Sequence, residues 1–92
     1  MIKRVELLVP TKDLKKLPRH VLDKLLAWVQ SVERDGVEMV RLRPGYHDEP
    51  LKGRRAGERS IRLSKAYRAI YRLGHDGDVE LVEVIEAHKH RY

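Results

Sequence analysis

The sequence contains no cysteine and no phenylalanine, and it has one tryptophan and four tyrosines. The lack of cysteine excludes a disulfide framework and is compatible with a reducing compartment. Because aromatic residues are scarce, the core is expected to consist mainly of leucine, valine and isoleucine. No apolar run is long enough to span a bilayer, and the N-terminal stretch MIKRVELLVP is too short and too charged for a signal peptide. We therefore expect a cytoplasmic protein with no membrane partner.

The length and the hydrophobic fraction together indicate one folded unit. The chain has 92 residues, of which 41% are hydrophobic and 37% are charged. This length supports one hydrophobic core, so residues 1–92 are expected to form a single domain. The hydrophobic fraction is ordinary for a globular protein, which argues against disorder despite the many charges.

The positive charge is concentrated in one segment. The net charge is +6, but residues 52–72 carry eight bases and one acid, Glu58, whereas the rest of the chain carries 12 bases and 13 acids. A basic segment of this kind predicts a polyanionic partner such as RNA or DNA. A basic surface for an acidic protein partner is the alternative.

The N-terminal third of the chain predicts one strand followed by two helices. Residues 2–9 alternate as in a strand, and Thr11 can cap a short helix over residues 12–16. Pro18 is expected to start a new helix, and Gly36 to end it. Apolar residues at helical spacing form a stripe that is expected to face a sheet, and Trp28 lies just off that stripe, where we expect partial burial. The stripe consists of Leu22, Leu25, Leu26, Val29 and Val32.

The rest of the chain predicts a long connection and then three strands. Residues 37–57 are rich in proline and glycine, although the stretch VEMVRL at its start can form a short helical turn or strand. Strands are expected over residues 59–64, 67–73 and 79–86, with a turn at residues 74–77. The order β-α-α-β-β-β predicts an α+β fold, in which helices pack on one face of an antiparallel sheet.

Side-chain alternation places basic residues on the face of the sheet that the helices leave open. If Ile61 and Leu63 face the helices, Arg62 faces the other side, and by the same reasoning Arg68 faces that side from the next strand. The core side of that next strand is expected to hold Tyr67, Ala69, Tyr71 and Leu73. Arginines from neighbouring strands then meet on one open surface.

The open surface carries the residue types that metal-free RNA cleavage requires. A ribose 2′-hydroxyl must lose a proton, the 5′-oxygen leaving group must gain one, and fixed cations must hold the charged transition state. Arginine suits the last role because its planar fork binds phosphate oxygens. A histidine pair with one intervening residue, His88 and His90, points to one side of a strand, but it is a weak signal for a metal and no cofactor is expected. The candidates for the chemistry are Glu49, Lys52, Arg62, Arg68, His90 and Tyr92.

The motifs EPLKG, SIRL, AYRAIYRL and VEVIEAHKHRY resemble the RelE/ParE superfamily of bacterial toxins over essentially the whole chain. The loop and the terminus are most similar to the YoeB and RelE branches, and PGYHDEPLKGRRAGERSIRL is also similar to HigB-type toxins. The resemblance implies a small twisted antiparallel sheet with two N-terminal helices on one face. It also implies the toxin of a type II toxin–antitoxin system: a ribosome-dependent, metal-independent endoribonuclease that cleaves mRNA by 2′-hydroxyl attack on the adjacent phosphate and inhibits translation.

The resemblance assigns roles residue by residue. Glu49 matches a loop carboxylate that acts as general base, and Arg62 and Arg68 match positions that stabilise transition-state charge. Tyr92 matches a terminal aromatic that stacks on a base or transfers a proton. His90 lies near the position of a YoeB-type histidine.

The general acid stays open, because YoeB has histidine directly before tyrosine, whereas Arg91 intervenes here, and Arg91 or Lys89 can also serve. Contacts with RNA or the ribosome are implied for a further set of bases. This set consists of Lys52, Arg54, Arg55, Arg72, Lys89 and Arg91.

The implied partners are a cognate antitoxin, mRNA in the ribosomal A site and 16S rRNA, with operator DNA bound only through the antitoxin. A ParE-like poison of DNA gyrase without nuclease activity is the main alternative, and a non-catalytic partner-binding or autorepression module is another. Individual residues also have simpler explanations. Glu49 can be a loop carboxylate paired with Arg54 or Arg55, and Arg62 and Arg68 can be cross-strand partners of the glutamates of the last strand.

Overall fold

A computed structural model describes residues 1–90, so Arg91 and Tyr92 lie outside the described residues. Within that range, no helix is long and apolar enough to cross a membrane. In residues 1–90, single 3₁₀ turns at Pro44–Tyr46 and Gly53–Arg55 accompany the regular elements. The regular elements are β1 (Val5–Leu7), α1 (Thr11–Lys15), α2 (Arg19–Asp35), α3 (Val37–Val40), β2 (Glu49–Pro50), β3 (Glu58–Arg62), β4 (Tyr67–Asp76) and β5 (Val79–Lys89).

The strands form one sheet in the order β1-β5-β4-β3-β2, with helices on one side, which confirms the predicted α+β class. The expectation of a purely antiparallel sheet was wrong in one respect, because β1 pairs with β5 in parallel. The amide of Val82 donates to the Arg4 carbonyl, and the amide of Leu8 donates to the Val84 carbonyl, both at 2.8 Å. The helices carry the chain across one face between β1 and the later strands, so β1 can join the far edge in the same direction as β5.

Proline and glycine set the helix ends largely as expected. Pro18 occupies the N-cap position of α2, and Gly36 ends that helix with a φ of 87°, which favours glycine because it has no Cβ. The prediction that Thr11 caps α1 was wrong. Thr11 is the first residue of that helix, and Pro10 occupies the N-cap position. Proline suits that position because its fixed φ leads into the helix.

The buried stripe of α2 is rotated from the predicted one. Val21, Leu25, Trp28 and Val32 are fully buried, whereas Leu26 is 41% exposed. Trp28 is therefore a central core residue rather than a partly buried one. Its ring lies 5.0 Å, centroid to centroid, from the ring of Tyr71 on the sheet, and this large contact fixes which side of the helix faces inward.

Alternation along β3 and β4 follows the prediction except at Leu73, which was expected on the core side but is 43% exposed because it lies beyond the part of β4 that the helices cover. Ile61, Leu63, Ala69 and Tyr71 belong to the core beneath the helices, while Arg62 projects to the opposite face. The hairpin between β4 and β5 differs from the predicted turn at residues 74–77. Pairing continues to the last residue of β4, and the loop has two residues, beginning with Gly77 at a φ of 61°.

The proline- and glycine-rich connection is more ordered than a loop. Its start, Val37–Val40, is helical, and its middle contributes strand β2. In β2, Glu49 pairs with Ser60 and Pro50 pairs with Arg59. This pairing places Glu49 on the open face of the sheet, beside the basic strands.

Candidate functional site

A groove crosses the open face of the sheet and receives side chains from β2, β3, β4, β5 and the residues that flank them. Register explains the convergence, because directly paired residues project to the same face. Glu49 pairs with Ser60, Ser60 with Ile70, and Arg68 with His88. We call this feature the open-face groove. Its lining residues are Glu49, Leu51, Arg55, Ser60, Arg68, Ile70, His88 and His90.

Arg68 is the fixed cation of the open-face groove. Its Nη1 donates to Ser60 Oγ at 3.1 Å and lies 3.6 Å from Glu49 Oε1. The Arg68 side chain is 18% exposed, whereas that of Glu49 is 62% exposed. Arg62 lies directly opposite Arg68 on the neighbouring strand. Two like charges in that position are unfavourable by themselves and favour an anion between them.

A second ionic cluster at the open-face groove includes Arg55. Its Nε donates to Glu58 Oε1 at 2.6 Å, and its Nη2 donates to Glu86. His88 is next to this cluster, with Nε2 3.0 Å from Glu86 Oε1 and Nδ1 3.0 Å from the Lys89 carbonyl oxygen. The hydrogen bond from Arg55 lowers the pKa of Glu86, and a smaller contribution comes from His88. Arg55 is thus neutralised by two carboxylates.

A buried polar cluster lies on the helix side, beneath the start of β2. The Asp48 side chain is 1% exposed, and its two oxygens accept hydrogen bonds from Arg59 Nε and from the Tyr71 hydroxyl, each at 2.5 Å. Burial, and then the bond to Asp48, raise the pKa of Tyr71 well above its usual range. Since Asp48 directly precedes Glu49, this cluster fixes the point at which the chain enters β2.

Several solved structures are similar to this arrangement over nearly its whole length. A YoeB/ParE toxin from Agrobacterium tumefaciens has a TM-score of 0.66 and 22% identity, covering 94% of this chain and 99% of its own. A chain of the toxin–antitoxin complex RelBE2 from Mycobacterium tuberculosis has a TM-score of 0.61 and 25% identity, covering 96% of both chains. YafQ from an E. coli strain has a TM-score of 0.67 and 19% identity, and the match covers 94% of this chain and 93% of YafQ.

The chain has the RelE/ParE toxin fold. No protein-family profile and no curated protein sequence matches it. The solved structures, rather than a sequence match, confirm the fold that the resemblance implied.

The RelE/ParE fold brings together some of the predicted site residues. Glu49, Arg55, Arg68 and His90 line the open-face groove, and Arg62 lies beside it on the same face. The backbone amide of His90 donates to the Ala66 carbonyl, which holds the end of β5 against the loop before β4.

Other predicted residues lie elsewhere. Arg72 Nε is 2.9 Å from Glu83 Oε1 at the other end of the sheet. Lys89 pairs with Tyr67 on the helix side, and Lys52 and Arg54 are exposed outside the open-face groove. The predictions for Arg91 and Tyr92 fall outside the described residues.

The structure also tests the simpler explanations of the charged residues as ion-pair partners. Glu49 pairs with Arg68 rather than with Arg54 or Arg55. Of the glutamates on the last strand, Glu83 pairs with Arg72 and Glu86 with Arg55, so neither is the cross-strand partner of Arg68.

Sequence reasoning missed three residues of the site. Alternation with Ile61 also places Ser60 on the open face, but nothing in the sequence indicates a role for it. His88 was considered only as a weak metal ligand, although its alternation with His90 correctly predicted that both reach one side. Asp48 gave no local signal, since nothing near it in sequence indicates burial. Within residues 1–90 no group of three or more histidine, aspartate or glutamate side chains is placed to hold a metal.

The depressed pKa of Glu86 gives a stability prediction. A carboxyl whose folded-state pKa is lowered stabilises the fold above its unfolded-state pKa, about 4.3, and loses that contribution as the pH falls through the folded-state value. As the pH falls from about 5 to about 3, the free energy of unfolding should decrease less in the Glu86→Gln variant than in wild type. Urea denaturation at several pH values measures this difference. Glu80→Gln, at an exposed position of the same strand, is the matched control and should follow wild type.

Proposed function

We propose that this protein is the toxin of a type II toxin–antitoxin system. The support comes from its fold and from the solved relatives, which are described as YoeB/ParE, RelBE2 and YafQ. The RelBE2 relative was solved as a toxin–antitoxin complex, which supports a cognate antitoxin as the partner here. The excess positive charge of residues 52–72 favours an acidic segment of that antitoxin as the neutralising element. Operator DNA would then be bound through the antitoxin.

We further propose that the open-face groove cleaves mRNA on the ribosome without a metal ion. The observation that carries this proposal is the placement of Arg68, largely buried and fixed, between an exposed carboxylate and a second arginine. A phosphodiester held by Arg62 and Arg68 has the Glu49 carboxylate at its side. This is the combination of fixed cations and a nearby base that the reaction requires.

The proposed step balances without a cofactor. Glu49 accepts the proton of the ribose 2′-hydroxyl, the 2′-oxygen forms a bond to phosphorus, and the bond from phosphorus to the 5′-oxygen breaks. The leaving oxygen receives a proton from a group at the end of β5, where His88 and His90 line the open-face groove. The products are a 2′,3′-cyclic phosphate and a free 5′-hydroxyl. The arginines act by stabilising the extra charge of the phosphorane.

Exposed bases outside the open-face groove suit contacts with the ribosome. Lys52 and Arg54 are exposed beside the entrance to β3, and neither forms part of the ionic cluster around Arg55. Phosphate contacts of this kind fix position without reading sequence. We assign them to 16S rRNA.

Primer extension on a defined mRNA tests the proposed function. The purified protein is added to translating ribosomes and, separately, to bare RNA. Cuts at fixed positions within codons, seen with ribosomes alone, are the expected result. Cuts on bare RNA would instead indicate a free nuclease. No cuts in either reaction would contradict the nuclease and direct the work to a gyrase supercoiling assay, which detects a ParE-like poison.

A further inference from the structure

A small cleft lies on the other side of β2 from the open-face groove. It encloses about 130 Å³, and its lining includes Arg59 and Tyr71 from the face of the sheet toward the helices, Arg41 directly after α3, and Pro50. We call it the back cleft. The two residues of β2 therefore separate two sites, because Glu49 belongs to the open-face groove and Pro50 to the back cleft. The residues lining the back cleft are Arg41, Pro50, Gly57, Glu58, Arg59, Tyr71, Arg72 and Leu73.

Arg41 is the unusual residue of the back cleft. Its Nε is buried and has no hydrogen-bond partner within residues 1–90. An N–H of a charged group that is removed from water without an acceptor is unfavourable, and native structures rarely leave one so. Arg41 and Tyr71 line the same cleft, and the positive charge of Arg41 opposes the rise in the pKa of Tyr71 that burial and Asp48 cause.

The other charged residues that line the back cleft take part in ion pairs. Arg59 is held by the buried carboxylate of Asp48. Glu58 is paired with Arg55, and Arg72 with Glu83. Among the residues that the structure describes, Arg41 has no carboxylate within ion-pair distance. Among the described residues that line the back cleft, Arg41 is therefore the one charged side chain without an ion pair, and Arg59 lines the same cleft.

We propose that the back cleft binds one phosphodiester group of the RNA whose cleavage was proposed above. The Arg41 guanidinium, which has no ion pair among the described residues, suits the negative charge of a phosphodiester, and Arg59 on the same lining offers a second planar cation. β2 is an edge strand of the sheet and has two residues, so an RNA strand in the open-face groove can pass around this edge. The repeated phosphates of one strand then reach both sides of β2, which favours a nucleic acid over a single protein carboxylate.

The salt dependence of RNA binding tests this inference. The probe is a single-stranded oligonucleotide with 2′-O-methyl riboses, which binds but cannot be cut. Each phosphate contact to a single strand contributes about 0.7 to the slope of log K against log salt concentration. We expect Arg41→Gln to reduce the magnitude of the slope by about 0.7 and the affinity by about tenfold or more. Arg34→Gln, which removes the same charge from an exposed site on α2, should leave both values near wild type.

A second variant separates charge from geometry and guards against misfolding. Arg41→Lys keeps the positive charge but lacks Nε and the planar fork, so we expect it to keep the slope and lose affinity. Thermal unfolding of each variant shows whether the fold is intact, and if Arg41→Gln does not fold, Arg41→Lys decides the question by its affinity.

The outcomes separate this inference from the proposed function. If wild type cleaves mRNA and binds the oligonucleotide, but the Arg41 variants behave like Arg34→Gln, the back cleft is not a phosphate site. The same holds if the Arg41 variants bind RNA normally and instead lose affinity for an acidic peptide, which would assign the back cleft to a protein carboxylate. If wild type neither cleaves mRNA nor binds the oligonucleotide, both proposals are overturned.

Discussion

Replacing Arg68 with alanine is expected to lower the rate of ribosome-dependent mRNA cleavage by about 10²–10³-fold, with the fold intact. Removal of one preorganised donor to a charged transition state typically has an effect of this size. Arg68 is well suited to such a role because its side chain is only 18% exposed and is held by Ser60 and Glu49. Little reorganisation is needed when charge develops on the phosphate.

Single-turnover cleavage on programmed ribosomes measures the Arg68 effect. Arg68→Lys keeps the charge but loses the fork, so an intermediate rate is expected. Arg19→Ala is the matched control, because Arg19 is an exposed arginine on α2 with one surface ion pair to Asp23. Wild-type cleavage by Arg68→Ala would remove this residue from the mechanism. An equal loss in Arg19→Ala would mean that general positive charge, rather than the open-face groove, governs the rate.

Replacing Asp48 with alanine is expected to lower the free energy of unfolding by about 3 kcal/mol. Its carboxylate is the shared acceptor of Arg59 and Tyr71, so its removal leaves a partly buried guanidinium without its partner and a buried hydroxyl without its acceptor. The cost is at the low end for a broken buried ion pair because the Arg59 side chain remains 23% exposed. A total stability of about 5–15 kcal/mol is normal for a domain of this size, so the loss is large.

Urea denaturation measures the Asp48 effect, and cleavage measures its consequence for the site. Asp48 precedes Glu49, so we expect the surviving folded fraction to cleave more slowly, with a reduced maximal rate rather than weaker RNA binding. Asp23→Ala removes an exposed carboxylate that is paired with Arg19 at 3.4 Å, and it should cost less than about 1 kcal/mol. A cost for Asp48→Ala as small as that of Asp23→Ala would show that the buried cluster does not stabilise the fold.

Local patterns predicted much of the open-face groove. Alternation along a strand has a period of two residues, so the common side of Arg62 and Arg68 could be inferred before any strand was paired. The same reasoning placed His88 and His90 together. The helix that begins after Pro18 and ends at Gly36 was also predictable, because the backbone preferences of proline and glycine act within one or two residues.

Contacts between distant parts of the chain escaped prediction. The Tyr71 hydroxyl meets Asp48 across 23 positions of sequence, and Arg55 meets Glu86 across 31. Nothing local distinguishes Asp48 from a solvated loop carboxylate, and nothing local indicates which of the glutamates would neutralise Arg55. The rotated stripe of α2 has the same origin, because the inward side of the helix depends on how Trp28 fits against Tyr71.

Local sequence is enough to predict which residues alternate, where α2 starts and stops, and where the positive charge is concentrated, because these properties arise between near neighbours in the chain. Only the folded chain shows that β1 joins β5 in parallel, that Asp48 anchors the entry to β2, and that the Nε of Arg41 is buried without an acceptor among residues 1–90. These features depend on which surfaces pack together and on which buried charges find partners. Both are properties of the whole fold, since burial and pairing are settled only when distant segments meet.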